Sequence, residues 1–241
     1  MQANVTEGAA VDNLLASVAE QLKVPLTVIA RHAELTQLTG RVDQSDMTNF
    51  RVQAESALQL VDSYLLGLQL MRDQAQLELE PVSVSSVLVD TAHSLGRYAR
   101  QHHVEIELDI AGKYRPVMAN AKGLRAALLS LGYGMVEAQA AHQNPSLRKL
   151  VLATHRTPGG IIAGIYSTAN YDLNAEQWRK ALQLCGSAPQ PFGQLGAGSS
   201  AGIFVADAIF RSMTTCLRVG RYAHQQGLAA TLHPSQQLQF V

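Results

Sequence analysis

Ala19-Glu20-Gln21-Leu22-Lys23-Val24-Pro25-Leu26-Thr27 sits inside a long apolar repeat and places a proline in its middle. Val11, Leu15, Val18, Leu22, Pro25, Ile29 and His32 follow at alternating steps of four and three, the spacing of a helical seam. A proline inside such a helix removes a backbone hydrogen bond and crowds the preceding turn, a cost of roughly 3 kcal/mol. A second repeat, Met47, Phe50, Ala54, Ala57, Val61, Tyr64, Leu68 and Met71, has the same steps. Between the two, Gly40 offers a helix C-cap, and Asp43 or Ser45 an N-cap, so the expectation is a short antiparallel hairpin over residues 11–75 after a flexible segment 1–10. Two such helices leave too wide an apolar face for one hairpin to cover. Pairing two hairpins into a four-helix bundle would bury it, so a homodimer is expected.

Composition narrows the function classes. The 241 residues are 47% apolar, with 19 basic and 19 acidic side chains that cancel, so no net field attracts nucleic acid or an anionic membrane surface. Only 16% of residues are charged, against about 25% in an average chain, which leaves more of the surface open to protein contacts. The apolar runs are far shorter than the ~20 residues that span a bilayer, and residues 1–10 lack the basic-then-apolar layout of a signal peptide, so a cytoplasmic protein without membrane contact is expected. Cys185 and Cys216 have no metal-ligand spacing and read as buried free thiols.

The remainder of the chain alternates helix and strand. Val84 to Gln101 is helical, with Leu88, Ala92, Leu95 and Tyr98 on one face, and Val104 to Ile110 alternates with the period of a strand. A helix from Ala121 to about Ala141, strands at Lys149–Thr154 and Gly160–Ser167, and a further helix at Ala175–Leu184 follow. Helices on one face of a mixed sheet make a two-layer α/β sandwich.

The opening stretch resembles the phosphoacceptor motif of sensor histidine kinases, Ser-His-Glu-Leu-Arg/Lys-Thr-Pro-Leu-Thr, with Leu22, Lys23, Pro25, Leu26 and Thr27 keeping the frame. In that frame the acceptor histidine is Glu20, its acidic neighbour is Gln21, and the Thr or Asn that orients water for phosphatase chemistry is Val24. His32 is too far along the helix, ~18 Å at ~1.5 Å per residue, to replace the acceptor, and reads as a packed seam residue. Glu20 reads as a solvated surface carboxylate, with a mimic of phosphohistidine charge as the alternative. The resemblance extends over nearly the whole chain: Leu77-Glu78-Leu79-Glu80-Pro81-Val82-Ser83 is similar to the family's linker, placed here at 76–83, and 84–241 to its GHKL-type ATP-binding domain.

The resemblance implies what each nucleotide box should hold. Leu128-Leu129-Ser130-Leu131-Gly132-Tyr133-Gly134-Met135 matches the N-box, whose second asparagine holds Mg²⁺; that position is Gly134, and the first asparagine is Ser130. Losing an oxygen ligand to Mg²⁺ is severe, because protein sites supply only one or two. Gly132 and Gly134 weaken a helix by about 1 kcal/mol each and suggest a close packing contact. Ser167-Thr168-Ala169-Asn170-Tyr171 stands at the adenine-binding box, with Ser167 for its aspartate and Ala169 for a glycine. An ordinary strand-to-helix loop is the plainer reading of that run. Gly198-Ser199-Ser200-Ala201-Gly202 keeps two of three glycines of the phosphate-facing turn, although a Gly-Ser-Ser run also starts helices. Residues 186–197 stand where the family has its ATP lid.

The expectation is therefore a noncatalytic histidine-kinase homologue without nucleotide, metal or other cofactor, working as a dimeric adaptor or regulator in a bacterial two-component pathway. Its partner would be a receiver domain or another histidine kinase, docked at Glu20, Gln21, Lys23 and Val24. No sensor domain is expected before Val11 and no receiver domain after Val241. Two alternatives are a histidine phosphotransferase-like relay protein, which needs a histidine at position 20, and a sensor that binds a ligand other than ATP in the altered pocket.

Overall fold

The computed structural model describes residues 19, 22–23, 25–38, 44–73, 75–110, 112–140, 148–167 and 197–235. The first helix, α1, covers 25–38, and α2 follows at Gln44–Asp73. The sandwich comprises β1 (Glu80–Val82), α3 (Val84–Gln101), β2 (Glu105–Ile110), β3 (Val117–Ala119), α4 (Ala121–Ala140), β4 (Lys149–Thr157), β5 (Gly160–Ser167), α5 (Ala197–Ser212), β6 (Leu217–Tyr222) and β7 (Gln225–Leu232). The main sheet has the order β2-β4-β5-β7-β6, parallel only at β2–β4, and β1 and β3 form a separate antiparallel pair. The expected linker 76–83 thus contains a strand, β1, and ends on Ser83, which caps α3 by accepting from the Ser86 N–H at 3.3 Å.

Alternation sorts the strands. Leu150, Leu152, Ile161, Ala163, Ile165, Leu228 and Ala230 point to the helices, whereas Val151, Ala153, Tyr166 and Ala229 form a separate cluster on the opposite face. Asp207 fastens α5 to the sheet edge: its carboxylate accepts from Arg211 Nε at 2.6 Å and from the Leu217 backbone N–H at 3.1 Å. That bond to Asp207 also raises the Arg211 pKa. Asn120 caps α4 by accepting from the Gly123 N–H at 2.9 Å and donates to the Glu78 carbonyl at 3.1 Å.

The second helix departs from the expected seam. Ala57 and Tyr64, both placed on it, are buried within the single chain, and Tyr64 joins one core with α3, α4 and α5, to which Leu60 and Leu70 also belong. Polar contacts reinforce this docking. Tyr133 Oη donates to Gln59 Oε1 at 2.8 Å, and Arg97 meets Glu55 at 3.2 Å. Tyr98 donates to Glu137 at 3.2 Å, and its ring lies edge-on to Tyr133 at 4.9 Å. Burial, followed by the Glu137 charge, pushes the Tyr64 and Tyr98 hydroxyls well above their ordinary range, so both stay neutral. Gly67 lets α5 approach, since a Cβ there would lie 2.8 Å from Val205 Cγ1. The helix is apolar around more of its circumference than one seam needs, and its packing divides that surface in two. One side covers the sandwich, and the other leaves Met47, Leu58 and Leu65 exposed.

Candidate functional site

The N-box positions lie in the helical layer. Ser130 is fully buried on α4, and its hydroxyl has no hydrogen-bond partner among the described residues. Its carbonyl oxygen faces α5, where a Cβ added at Gly202 would stand only 2.2 Å away. Real Cβ contacts do not come that close, so the α4–α5 crossing itself requires glycine at 202. The packing contact expected of the α4 glycines is present at Gly132, where a Cβ would meet Leu95 Cδ1 of α3 at 2.3 Å. Gly134 is buried. With only a backbone to offer, it contributes no side-chain ligand to a cation.

Gly198 falls within the first turn of α5, which begins at Ala197, so the glycine run lies in the helix rather than in a turn before it. The glycine retained at 202 therefore has a packing reason that does not involve phosphate. This reason was hidden in the sequence, because it depends on a carbonyl more than seventy positions away.

Ser167 ends β5, pairs with Gln226 of β7 across the ladder, and is buried. Its hydroxyl accepts a hydrogen bond from Gln139 Nε2 near the end of α4. Gln139 is fully buried, and its Oε1 has no partner among the described residues. At the aspartate position the structure thus places a neutral hydroxyl tied to a neutral amide. This pair can exchange hydrogen bonds but offers no fixed charge. Ala169 lies outside the described residues, as do the loop 168–171, the expected helix 175–184, Cys185 and the lid segment 186–196. Cys216 is half-buried and free, with Arg218 Nε at 3.4 Å from its sulfur. Among the described residues no three His, Cys, Asp or Glu side chains converge as a metal site would require.

At the acceptor stretch, Glu20, Gln21 and Val24 also lie outside the described residues. Around them, Leu22 packs against the main core and Pro25 is buried, whereas Lys23, Leu26 and Thr27 are exposed. The retained frame therefore divides into inward-facing Leu22 and Pro25 and outward-facing Lys23, Leu26 and Thr27. His32 is half-buried with its ring edge-on to Phe50 of α2 at 5.6 Å, which ties α1 to α2.

No known family profile matches the sequence, and no curated protein matches it. Solved structures do. The histidine kinase AdeS of Acinetobacter baumannii superposes with a TM-score of 0.52 at 15% identity, over 89% of this chain and 98% of that one. Full-length ShkA in complex with AMPPNP gives 0.51 at 16% identity, over 95% of this chain and 46% of that one. The catalytic domain of the histidine kinase ThkA gives 0.50 at 10% identity, over 65% and 96%. At such identities the likeness is one of fold: the chain has a histidine-kinase-like fold, helices followed by a GHKL-type two-layer α/β sandwich.

Proposed function

We propose that this chain is a noncatalytic histidine-kinase homologue: a dimeric, cytoplasmic adaptor or regulator of bacterial two-component signalling that acts through protein contacts. The observation that carries the reading is the Ser167–Gln139 pair, which occupies the adenine-anchoring position with a hydroxyl already engaged inside the fold. Adenine recognition rests on a few placed polar groups, and a buried neutral pair does not replace a carboxylate acceptor. Gly134 adds the second deficit, because it leaves Mg²⁺ without its side-chain ligand. With Glu20 at the acceptor position, the three functions of nucleotide anchoring, metal holding and phosphoryl acceptance are all unsupplied.

What remains suits recognition. Lys23, Leu26 and Thr27 form an outward surface beside the former acceptor, where a receiver domain or another kinase would dock with Glu20, Gln21 and Val24. The exposed apolar face of α2, Met47, Leu58 and Leu65, is the surface a second copy would cover, and Leu26, Leu35 and Leu38 are exposed on α1. Among the described residues no helix is long and apolar enough to cross a membrane.

The test is a thermal-shift titration with Mg·ATP. A ligand present at 100 times its Kd stabilises by about 2.7 kcal/mol, so a competent ATP site would raise Tm clearly at millimolar nucleotide. We expect no shift beyond that given by matched magnesium and salt. A saturable rise that requires both Mg²⁺ and ATP would refute the reading.

A further inference from the structure

A cleft of about 580 Å³ opens between α1, α2 and the C-terminal end of α3, and none of the box positions described above lines it. Its charged lining is entirely basic or titratable: Arg97, Arg100, His32, His102 and His103, with no carboxylate among the described lining residues. Arg97 is held in place by Glu55 at 3.2 Å, which leaves further N–H donors of its guanidinium uncommitted by that contact. Arg100 is exposed and has no ion pair among the described residues. His102 lies against the Tyr98 ring at 4.4 Å, and His103 follows it with a positive φ of 56°, a conformation that non-glycine residues rarely adopt.

An amide relay floors the cleft. Gln53 Nε2 donates to Gln101 Oε1, and Gln101 Nε2 donates to Asn49 Oδ1 at 3.2 Å. Gln53 is 4% exposed, and its buried Oε1 has no partner among the described residues, although the residue lines the cleft. The relay fixes the half-buried amides of Asn49 and Gln101, which line the cleft beside the basic side chains. Basic side chains at a helix end also favour the helix dipole, but that role needs neither a cavity nor an amide relay.

We propose that this cleft binds a small phosphate ester that also bears hydroxyl groups. Arg97 and Arg100 hold the phosphate by charge-assisted hydrogen bonds, and the half-buried amides of Asn49 and Gln101, which line the cleft, meet the ligand's hydroxyls. The volume lies within the range of small-molecule sites and leaves room for more than the phosphate alone. The cleft is bounded by both the helical pair and the sandwich, so its occupant would brace α3 against α2 and α1.

The experiment follows the histidine side-chain resonances of the full chain by NMR during titration with ribose 5-phosphate, inorganic phosphate and, at matched ionic strength, potassium chloride. We expect saturable shifts at His102 and His103 with ribose 5-phosphate, weaker binding of inorganic phosphate, and shifts with chloride that do not saturate. Arg100→Gln and Arg100→Glu, at an exposed position that does not threaten folding, should weaken ribose 5-phosphate by about tenfold or more, the equivalent of a charge-assisted hydrogen bond worth about 1.4 kcal/mol or more. Shifts that follow ionic strength alone, or an affinity unchanged in both Arg100 variants, would overturn the site. Equal affinity for phosphate and ribose 5-phosphate would remove the hydroxyl contacts at Asn49 and Gln101 and overturn the ligand class.

Discussion

Replacing Gly202 with alanine should destabilise the protein by about 3 kcal/mol, the upper end for overpacking a core, which corresponds to a Tm lower by roughly 6–12 °C for a chain of this size. The new Cβ would lie 2.2 Å from the Ser130 carbonyl oxygen. Because the opposing atom belongs to the backbone of α4, no rotamer change relieves the clash, and α5 must move away from Ser130. That shift would propagate to Ile203, Val205 and Ala206, all buried in the same core. Gly96→Ala is the matched control. In α3 a Cβ at that position meets nothing within 4 Å, so alanine should stabilise by about 1 kcal/mol through helix propensity alone. Thermal unfolding of the two variants should give shifts of opposite sign. A Gly202→Ala protein with the wild-type Tm would mean that α4 and α5 do not cross as described.

The double substitution Leu58→Glu with Leu65→Glu should convert a dimer into a folded monomer. The two leucines are 64% and 60% exposed, so the charges disturb little within one chain. Seven residues apart on α2, they lie on one face and line up with Met47. If a second copy covers them, a dimer loses four leucine contacts, each worth about 1.5 kcal/mol at the lower end, for a total of about 6 kcal/mol or ~10⁴-fold in affinity. Light scattering at micromolar concentration should show the mass halved, with the circular dichroism unchanged. A wild-type protein that is already monomeric at that concentration would end the dimer proposal. Val61 and Leu68 are poorer probes, since both are half-buried in the single chain and Leu68 packs against the core.

How much could be read in advance follows from where the controlling interactions lie. Local signals gave α3 at Val84–Gln101, since the one-face spacing of Leu88, Ala92, Leu95 and Tyr98 is written within a few turns, and the short apolar run 160–167 gave β5. The C-terminal hairpin β6–β7 gave no such signal. Its strands carry Gly220 and Gly227, and their polar residues, Arg218 and Arg221 in β6 and Gln225 and Gln226 in β7, do not alternate; its turn uses Ala223 at a positive φ of 51° where a glycine or asparagine would have announced it. The seam of α2 was legible as apolar periodicity, but the period cannot say which surface each residue covers. Tyr64 went to the sandwich core, and Gly67 to Val205, because α3, α4 and α5 offer partners that are far away in sequence.

The candidate site divides in the same way. That position 134 has no side chain, and that position 167 is a serine, is plain from the residues. That Ser167 is engaged by Gln139, and that Gly202 belongs to a helix crossing, depends on long-range packing that no motif records. The amide relay of Asn49, Gln53 and Gln101 was likewise invisible, because glutamines at such separation carry no pattern until α2 lies against α3.

Incubation of the purified 241-residue chain with Mg²⁺ and γ-labelled ATP, followed by separation in acid and in alkali, tests the central claim most directly. With Glu20 at the acceptor position and Gly134 at the metal position, the protein should incorporate no label, alone or on addition of a receiver domain. Label that survives alkali and is lost in acid, the signature of phosphohistidine, would contradict it.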